Sequence, residues 1–121
     1  MRTKLQVQVA EAALKIDSAH LRAFRAADEI DNLARRNALP EYITKARTRA
    51  DTGVVATDIT DALNTLIFSH GAGSFAEASP MQRWWRDSNT VARHAIVLPA
   101  IGAELYGKAL LGAENTVTPL V

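Results

Sequence analysis

The chain has 121 residues, 48% of them hydrophobic and 22% charged, with 14 Lys plus Arg against 13 Asp plus Glu. Such a composition suits one globular domain with its own core and excludes a disordered chain, while the net charge of +1 excludes a nucleic-acid or membrane-surface binder driven by field alone. Cysteine is absent, which excludes disulfides, thiol catalysis, iron–sulfur clusters and thiolate zinc sites, and fits a reducing cytoplasm.

About one residue in six is alanine, the best helix former, and strand formers never cluster in alternation, so the expected fold class is all-α. No N-terminal targeting segment is visible, and the longest weakly polar run, Ala95 to Ala103, is too short to span a bilayer. The expected location is cytoplasmic, with no membrane or nucleic acid as partner.

The first helix is expected from Thr3 to Asn37. Val9, Ala13, Ile16, Phe24, Ala27 and Ala34 recur at helical spacing as its buried row, widened by Leu14, Leu21 and Ile30. The opposite face carries Glu11–Lys15, Arg25–Glu29 and Asp31–Arg35, read as exposed i,i+4 pairs. Pro40 ends this helix, since the residue before a proline avoids helical backbone. A second helix follows from Glu41 to His70, with Ile43, Ala46, Ala50, Gly53 or Val54, Thr57, Leu63, Leu66 and Ile67 facing inward. Gly53 weakens a helix by about 1 kcal/mol relative to alanine, so close approach of another helix is the expected reason for it. Gly71-Ala72-Gly73 then supplies left-handed conformations.

Ser79-Pro80-Met81-Gln82 reads as a helix start. Ser79 can accept from the backbone of Gln82, Gln82 can reach back, and Pro80 takes the first helical position. The third helix is expected from Pro80 to Val97, broken by Pro99, and the fourth from Ala100 to Leu111, ended by Gly112. Short connections between long helices predict an antiparallel four-helix bundle over residues 1–112, followed by a loosely held tail from Ala113 to Val121.

Candidates for chemistry are few. His20, His70 and His94 never fall at i,i+3 or i,i+4, and no Glu-x-x-His occurs, so no metal site is expected. Nucleotide-binding and hydrolase glycine motifs are missing. Lys45, Arg47 and Arg49 read as a solvated helix face in preference to a phosphate site. Trp84 and Trp85 point about 100° apart on a helix, one suited to the core, the other to a groove, an interface or a flat ligand. His94 is read on the third helix, half-buried and hydrogen-bonded.

From Gly71 to His94 the sequence runs Gly-Ala-Gly-Ser-Phe-Ala-Glu-Ala-Ser-Pro-Met-Gln-Arg-Trp-Trp-Arg-Asp-Ser-Asn-Thr-Val-Ala-Arg-His, and Leu110-Leu111-Gly112 follows. This resembles the C-terminal helical domain of the acyl-CoA dehydrogenase superfamily. The similarity is strongest to its type 2 branch, which includes the oxygenase components of two-component flavin-dependent monooxygenases acting on phenols, steroid-derived aromatics and sulfur heterocycles. The branch pattern is a glycine-rich turn, Ser-Pro-Leu-Gln-Arg-x-Trp-Arg-Asp, a histidine, and a small-residue helix ending near Leu-Leu-Gly. Met81 stands where that pattern has leucine, a volume-conserving change.

The resemblance implies a catalytic role for His94 beside the reactive edge of a flavin, stabilising a C4a-hydroperoxide or moving a proton. It implies cofactor-binding roles for Gly71, Ala72, Gly73 and Trp85. FMN is the implied cofactor, with FAD the alternative, not held tightly by this chain alone. Many acyl-CoA dehydrogenases carry Tyr-Glu-Gly-Thr, with the glutamate as base, where this chain has Arg93-His94-Ala95-Ile96, so α,β-dehydrogenation lacks its base. Arg86 and Asp87 look like a structural ion pair or an interface anchor. A homo-oligomer (dimer or tetramer) is implied, with a flavin reductase and a separate chain carrying the missing domains as further partners. The N-terminal helical domain and middle β-domain of full relatives do not fit in this chain. It is therefore expected to be the flavin-covering, oligomerising part of an oxidoreductase, whether a truncated gene product, a fragment or half of a split protein. The alternative is a stand-alone helical oligomerisation or interaction module without catalysis.

Overall fold

With no glycine or proline inside it, the first element is helical from Arg2 to Arg35, two residues short of its expected end at Asn37. The computed structural model describes residues 2–119, and among them are four α-helices and no strand. These are α1 (Arg2–Arg35), α2 (Tyr42–His70), α3 (Pro80–Val91) and α4 (Pro99–Leu110), with 3₁₀ turns at Ala72–Phe75 and Ala95–Val97. The all-α, four-helix expectation therefore holds. α2 is the central element, with α1 and α4 packed along it and α3 against it. Lys15 meets Asp61 and Glu29 meets Arg47, so α1 and α2 run antiparallel. No helix among the described residues is long and apolar enough to cross a membrane.

Two helices end in the same way. After α1, Asn37 takes φ 51°, the N–H of Ala38 bonds Leu33 O at 2.9 Å, and that of Asn37 bonds Ala34 O at 3.0 Å. After α4, Gly112 takes φ 71°, with Ala113 bonding Lys108 O and Gly112 bonding Ala109 O. Both are Schellman closures, which satisfy the last carbonyls of a helix. In the tail beyond, the Asn115 side chain accepts from Val117 and Thr118 and Lys108 donates to Thr116; residues 120 and 121 lie outside the described residues.

The buried stripe of α1 is displaced from the one expected. Ala12 and Ala19 are buried, and Gln8, Lys15, Arg22, Ala26, Glu29 and Leu33 are half-buried at alternating spacings of three and four. Val9, Leu14, Leu21, Phe24 and Ile30 are exposed instead. The reason is steric and electrostatic. Alanine lets α1 lie close to α2, and the charged members of the seam reach across to partners there.

Among the described residues none of the i,i+4 ion pairs expected within α1 forms: Arg35 bonds Asn32 on the same helix at 2.9 Å, while Lys15, Arg25 and Glu29 bond across to α2. Lys15 donates to Asp61 at 3.2 Å, Arg47 donates to Glu29, and Asp51 accepts from Arg22 at 3.0 Å and Arg25 at 2.8 Å. Asp51 is 5% exposed, and its hydrogen bond and charge raise the Arg25 guanidinium pKa above the ordinary value.

The close approach anticipated at Gly53 is there, and it has a counterpart in α4. A Cβ on Gly53 would lie 2.7 Å from Pro99 Cα, and one on Gly102 would lie 2.9 Å from Ala50 Cα and Arg49 O. Leu105 is the largest fully buried side chain.

α3 is shorter than expected. It stops at Val91, and Pro99 opens α4. Ser88, Asn89 and Thr90 turn their side chains onto the carbonyls of Trp84, Trp85 and Arg86, a poor helix-forming run. Leu98 is extended (φ −60°, ψ 118°), as a residue before proline prefers. At the other end, the Ser79 hydroxyl accepts from Met81, at 3.3 Å, in place of Gln82.

Gly53→Ala and Gly102→Ala should each lower unfolding stability by about 1–3 kcal/mol, since backbone must move to admit the methyl group. Gly107→Ala, whose Cβ meets nothing within 4 Å, should raise it by up to about 1 kcal/mol. Urea unfolding of the three variants checks both signs.

Candidate functional site

The turn after α2 is shaped by one glycine. Gly71 takes φ 89°, ψ −165°, a conformation closed to residues with a Cβ, and a Cβ there would meet nothing within 4 Å. Its N–H bonds Ile67 O at 2.9 Å. The chain then tightens into the 3₁₀ turn, held by fully buried Ser74, whose N–H bonds Gly71 O and whose hydroxyl donates to Ile67 O. Gly73 is not in the left-handed region, so Gly71 alone supplies the reversal anticipated for both.

Beside this turn lies a groove of about 550 Å³, lined by Asn64, Ile67, Phe68, Gly71, Ala72, Phe75 and Trp85. Trp85 is fixed from two sides. Its Nε1 donates to Asn64 Oδ1 at 2.7 Å, and the Phe75 ring meets it edge-on, with centroids 5.5 Å apart at 81°. Neither tryptophan enters the core: Trp84 is exposed and Trp85 is half-buried at the groove. The structure thus brings together Gly71, Ala72 and Trp85, while Gly73 is not among the lining residues. His94 stands outside this groove as well.

His94 is not helical. It precedes the Ala95–Val97 turn, exposed, and its Nδ1 accepts the Ile96 N–H at 3.2 Å. An accepting Nδ1 places the proton of the neutral ring on Nε2. The loop that carries His94 borders a second depression. Val97 lines it, and the Ala95 carbonyl accepts from Arg49 at 3.5 Å.

That depression is a trough along the α1–α2 seam. Its upper part, about 470 Å³, is walled by Ala23, Ala26, Val55, Ile59, Val91 and Val97; its lower part, about 440 Å³, by Ile30, Leu33, Ala34 and Pro40. Thr48 and Thr52 line both parts. The hydroxyls of Thr48, Thr52 and Thr60 donate to Thr44 O, Thr48 O and Ala56 O at 2.7–3.0 Å. Bonding inside the helix consumes their polarity, so the threonine floor behaves as an apolar one. The i,i+4 recurrence of Thr44, Thr48 and Thr52 puts them on one helix face, but nothing in the sequence shows that face to be apolar.

Other candidates change their reading. Arg86 and Asp87 are both exposed and form no ion pair among the described residues. Arg47 and Arg49 are half-buried and turned toward Glu29 and Ala95, so only Lys45 fits a solvated face. Among the described residues, no three His, Asp or Glu side chains gather where they could hold a metal ion.

Residues 2–99 match the family described as the acyl-CoA dehydrogenase C-terminal domain. Over 114 residues the chain is 30% identical to the oxygenase subunit HsaA of a flavin-dependent monooxygenase from Rhodococcus jostii (strain RHA1), covering 93% of this chain and 30% of that protein. Its fold is similar to XiaF from Streptomyces sp., solved in complex with FADH2 and glycerol, with TM-score 0.91, 38% identity, and 95% of this chain on 29% of the other. It is also similar to the 3-HSA hydroxylase from Rhodococcus sp. RHA1, with TM-score 0.91, 25% identity, and 98% of this chain on 31% of the other. The chain therefore spans about three-tenths of the length of these relatives.

The pairing of Asn64 with the indole has a spectroscopic consequence. In a Trp84→Phe background, Asn64→Leu should blue-shift the Trp85 emission and cost about 1 kcal/mol of stability, through loss of one hydrogen bond. Fluorescence and urea unfolding on the same samples read both.

Proposed function

The chain belongs to the acyl-CoA dehydrogenase C-terminal domain family, and on that premise we propose that it is the flavin-covering, oligomerising helical domain of a monooxygenase-like flavin oxidoreductase. The observation that carries this reading is the position of His94: its loop walls an apolar trough, and that loop holds no carboxylate between Arg93 and Val97. An imidazole there suits proton movement near neutral pH, whereas removal of an α-proton from an acyl thioester lacks a base in this loop.

The groove residues fit a flavin. Open space beside Gly71 admits close approach, and the Trp85 and Phe75 rings offer an apolar wall to a flat heterocycle. Gly71, Ala72 and Trp85 would hold the cofactor on this side. Reduced flavin, when bound, supplies oxygen activation. The chain's own part is then to shield the site from water with α2 and α3, to accommodate an apolar substrate along the trough, and to hold or move a proton at His94 Nε2. FMN delivered by a partner reductase is the cofactor we favour; FAD is the competitor, because XiaF is similar and was solved with FADH2. Further domains would complete the pocket, and the cysteine-free sequence suits a cytoplasmic setting.

A second surface supports self-association. Leu14, Leu21 and Phe24 lie outward on α1, each about two-thirds exposed, and Val7 continues the seven-residue spacing of Leu14 and Leu21. An apolar stripe of this kind marks an interface, and we assign it to a homodimer or homotetramer. The same stripe favours the second reading, a stand-alone interaction module without catalysis.

Titration with FMN, followed by flavin fluorescence, should saturate and should weaken about tenfold or more in Gly71→Val and Trp85→Ala, equivalent to about 1.4 kcal/mol. An absence of binding up to about millimolar FMN would select the non-catalytic module. Sedimentation at tens of micromolar protein should show a dimer or tetramer that Leu14→Lys with Leu21→Lys converts to monomer; a monomeric parent chain would rule the interface out.

A further inference from the structure

We infer that the α1–α2 trough accepts an elongated apolar molecule bearing a carboxylate at one end, with that carboxylate at Lys45. The inference rests on the reading of the trough as a substrate site and adds the chemical class of the substrate.

The first argument is shape. From Thr44 to Thr60 the floor follows 16 residues of α2, about 24 Å at 1.5 Å per residue. The α1 wall is lowered by Ala23, Ala26 and Ala34. A compact ligand would leave most of this length wet, whereas a chain or fused-ring body would cover it. The second argument is polarity. The hydroxyls of Thr48, Thr52 and Thr60 donate to their own helix, so this stretch of the floor offers a ligand methyl groups.

The third argument is charge. Asp51 is held between Arg22 and Arg25, and Glu29 is held by Arg47, so both carboxylates on the trough are already matched. Lys45 and Arg49 line the end near Pro40. Lys45 is exposed and forms no ion pair among the described residues. That end is therefore cationic. It attracts a carboxylate, is indifferent to an alcohol and repels an ammonium group. The Ala95–Val97 turn borders the same trough, so a molecule anchored at Lys45 runs its apolar body past the loop that carries His94.

The test uses the 121-residue chain and three probes of equal length: dodecanoate, dodecan-1-ol and dodecyltrimethylammonium, each measured by calorimetry below its micelle concentration. Dodecanoate should bind at least about tenfold tighter than the ammonium probe. Lys45→Glu should abolish or reverse that order, and Lys45→Arg should keep it. Ala23→Phe, a change at an exposed position that fills the trough, should weaken all three, with circular dichroism confirming the fold. Equal affinities, an order that survives Lys45→Glu, or no binding of any probe would overturn the inference. An FMN titration on the same samples separates the two readings. Flavin binding with headgroup-blind probes would sink the carboxylate and leave the flavin domain standing. Carboxylate selectivity without flavin binding would do the reverse.

Discussion

The approach of α4 to α2 at Gly53 and Gly102 is the constraint on which the rest of the molecule turns. Two helical backbones meet where no side chain intervenes, with Pro99 against one glycine and Ala50 against the other. Such contact replaces side-chain burial with dense backbone dispersion, which suits a protein whose largest fully buried side chain is Leu105. It also fixes Pro99. Because Leu98 is extended before that proline, the chain leaving α3 has little freedom between Val91 and its anchor. The His94 turn is thus held by a contact that involves none of its own residues.

The α1–α2 seam follows a different logic. Buried alanines set the spacing, and charged residues of α1 reach polar partners on α2. Ion pairs that stay partly open to water contribute little stability each, but they specify register. Asp51 is the member with most at stake, because it is nearly buried. Two arginines satisfy it, and a slip of α1 along α2 would leave it stranded. The large apolar side chains displaced from this seam are the same ones that give α1 its outward stripe.

Much of the fold was legible in the sequence because its punctuation is local. Gly71, Ser79-Pro80 and Gly112 mark helix boundaries by their own backbone chemistry, and Gly53 announces a close approach by its cost, whereas α1 closes at left-handed Asn37, ahead of the expected stop at Pro40. What went astray depended on context. Periodicity favours large apolar residues, so it selected Phe24 and Leu21 for the core of a seam that has room only for alanine. Pro99, which by sequence suits the stop of a third helix, starts the fourth, and His94 accordingly lies in a turn and not in a helix. Glu29 and Arg25 looked like each other's partners because sequence shows neighbours along the chain and hides those across it. In the site, Gly71, Ala72 and Trp85 were marked by family resemblance, and the structure brings them together, although nothing in their spacing required it. The trough was illegible for a simpler reason. Threonine reads as polar until the carbonyl four residues back is known to take its proton.

That property of the threonine floor bears on how the protein can change. The hydroxyls of Thr48, Thr52 and Thr60 each close on their own helix, and none donates to another element. Replacement of Thr48 or Thr52 by valine, serine or alanine would deepen, narrow or flatten the trough without orphaning a partner elsewhere. Contour is uncoupled from scaffold: the glycine crossing and the Asp51 clamp hold the helices, while the floor is a row of exchangeable tiles. A lineage built on this chain can therefore reshape the trough one tile at a time, keeping the frame intact.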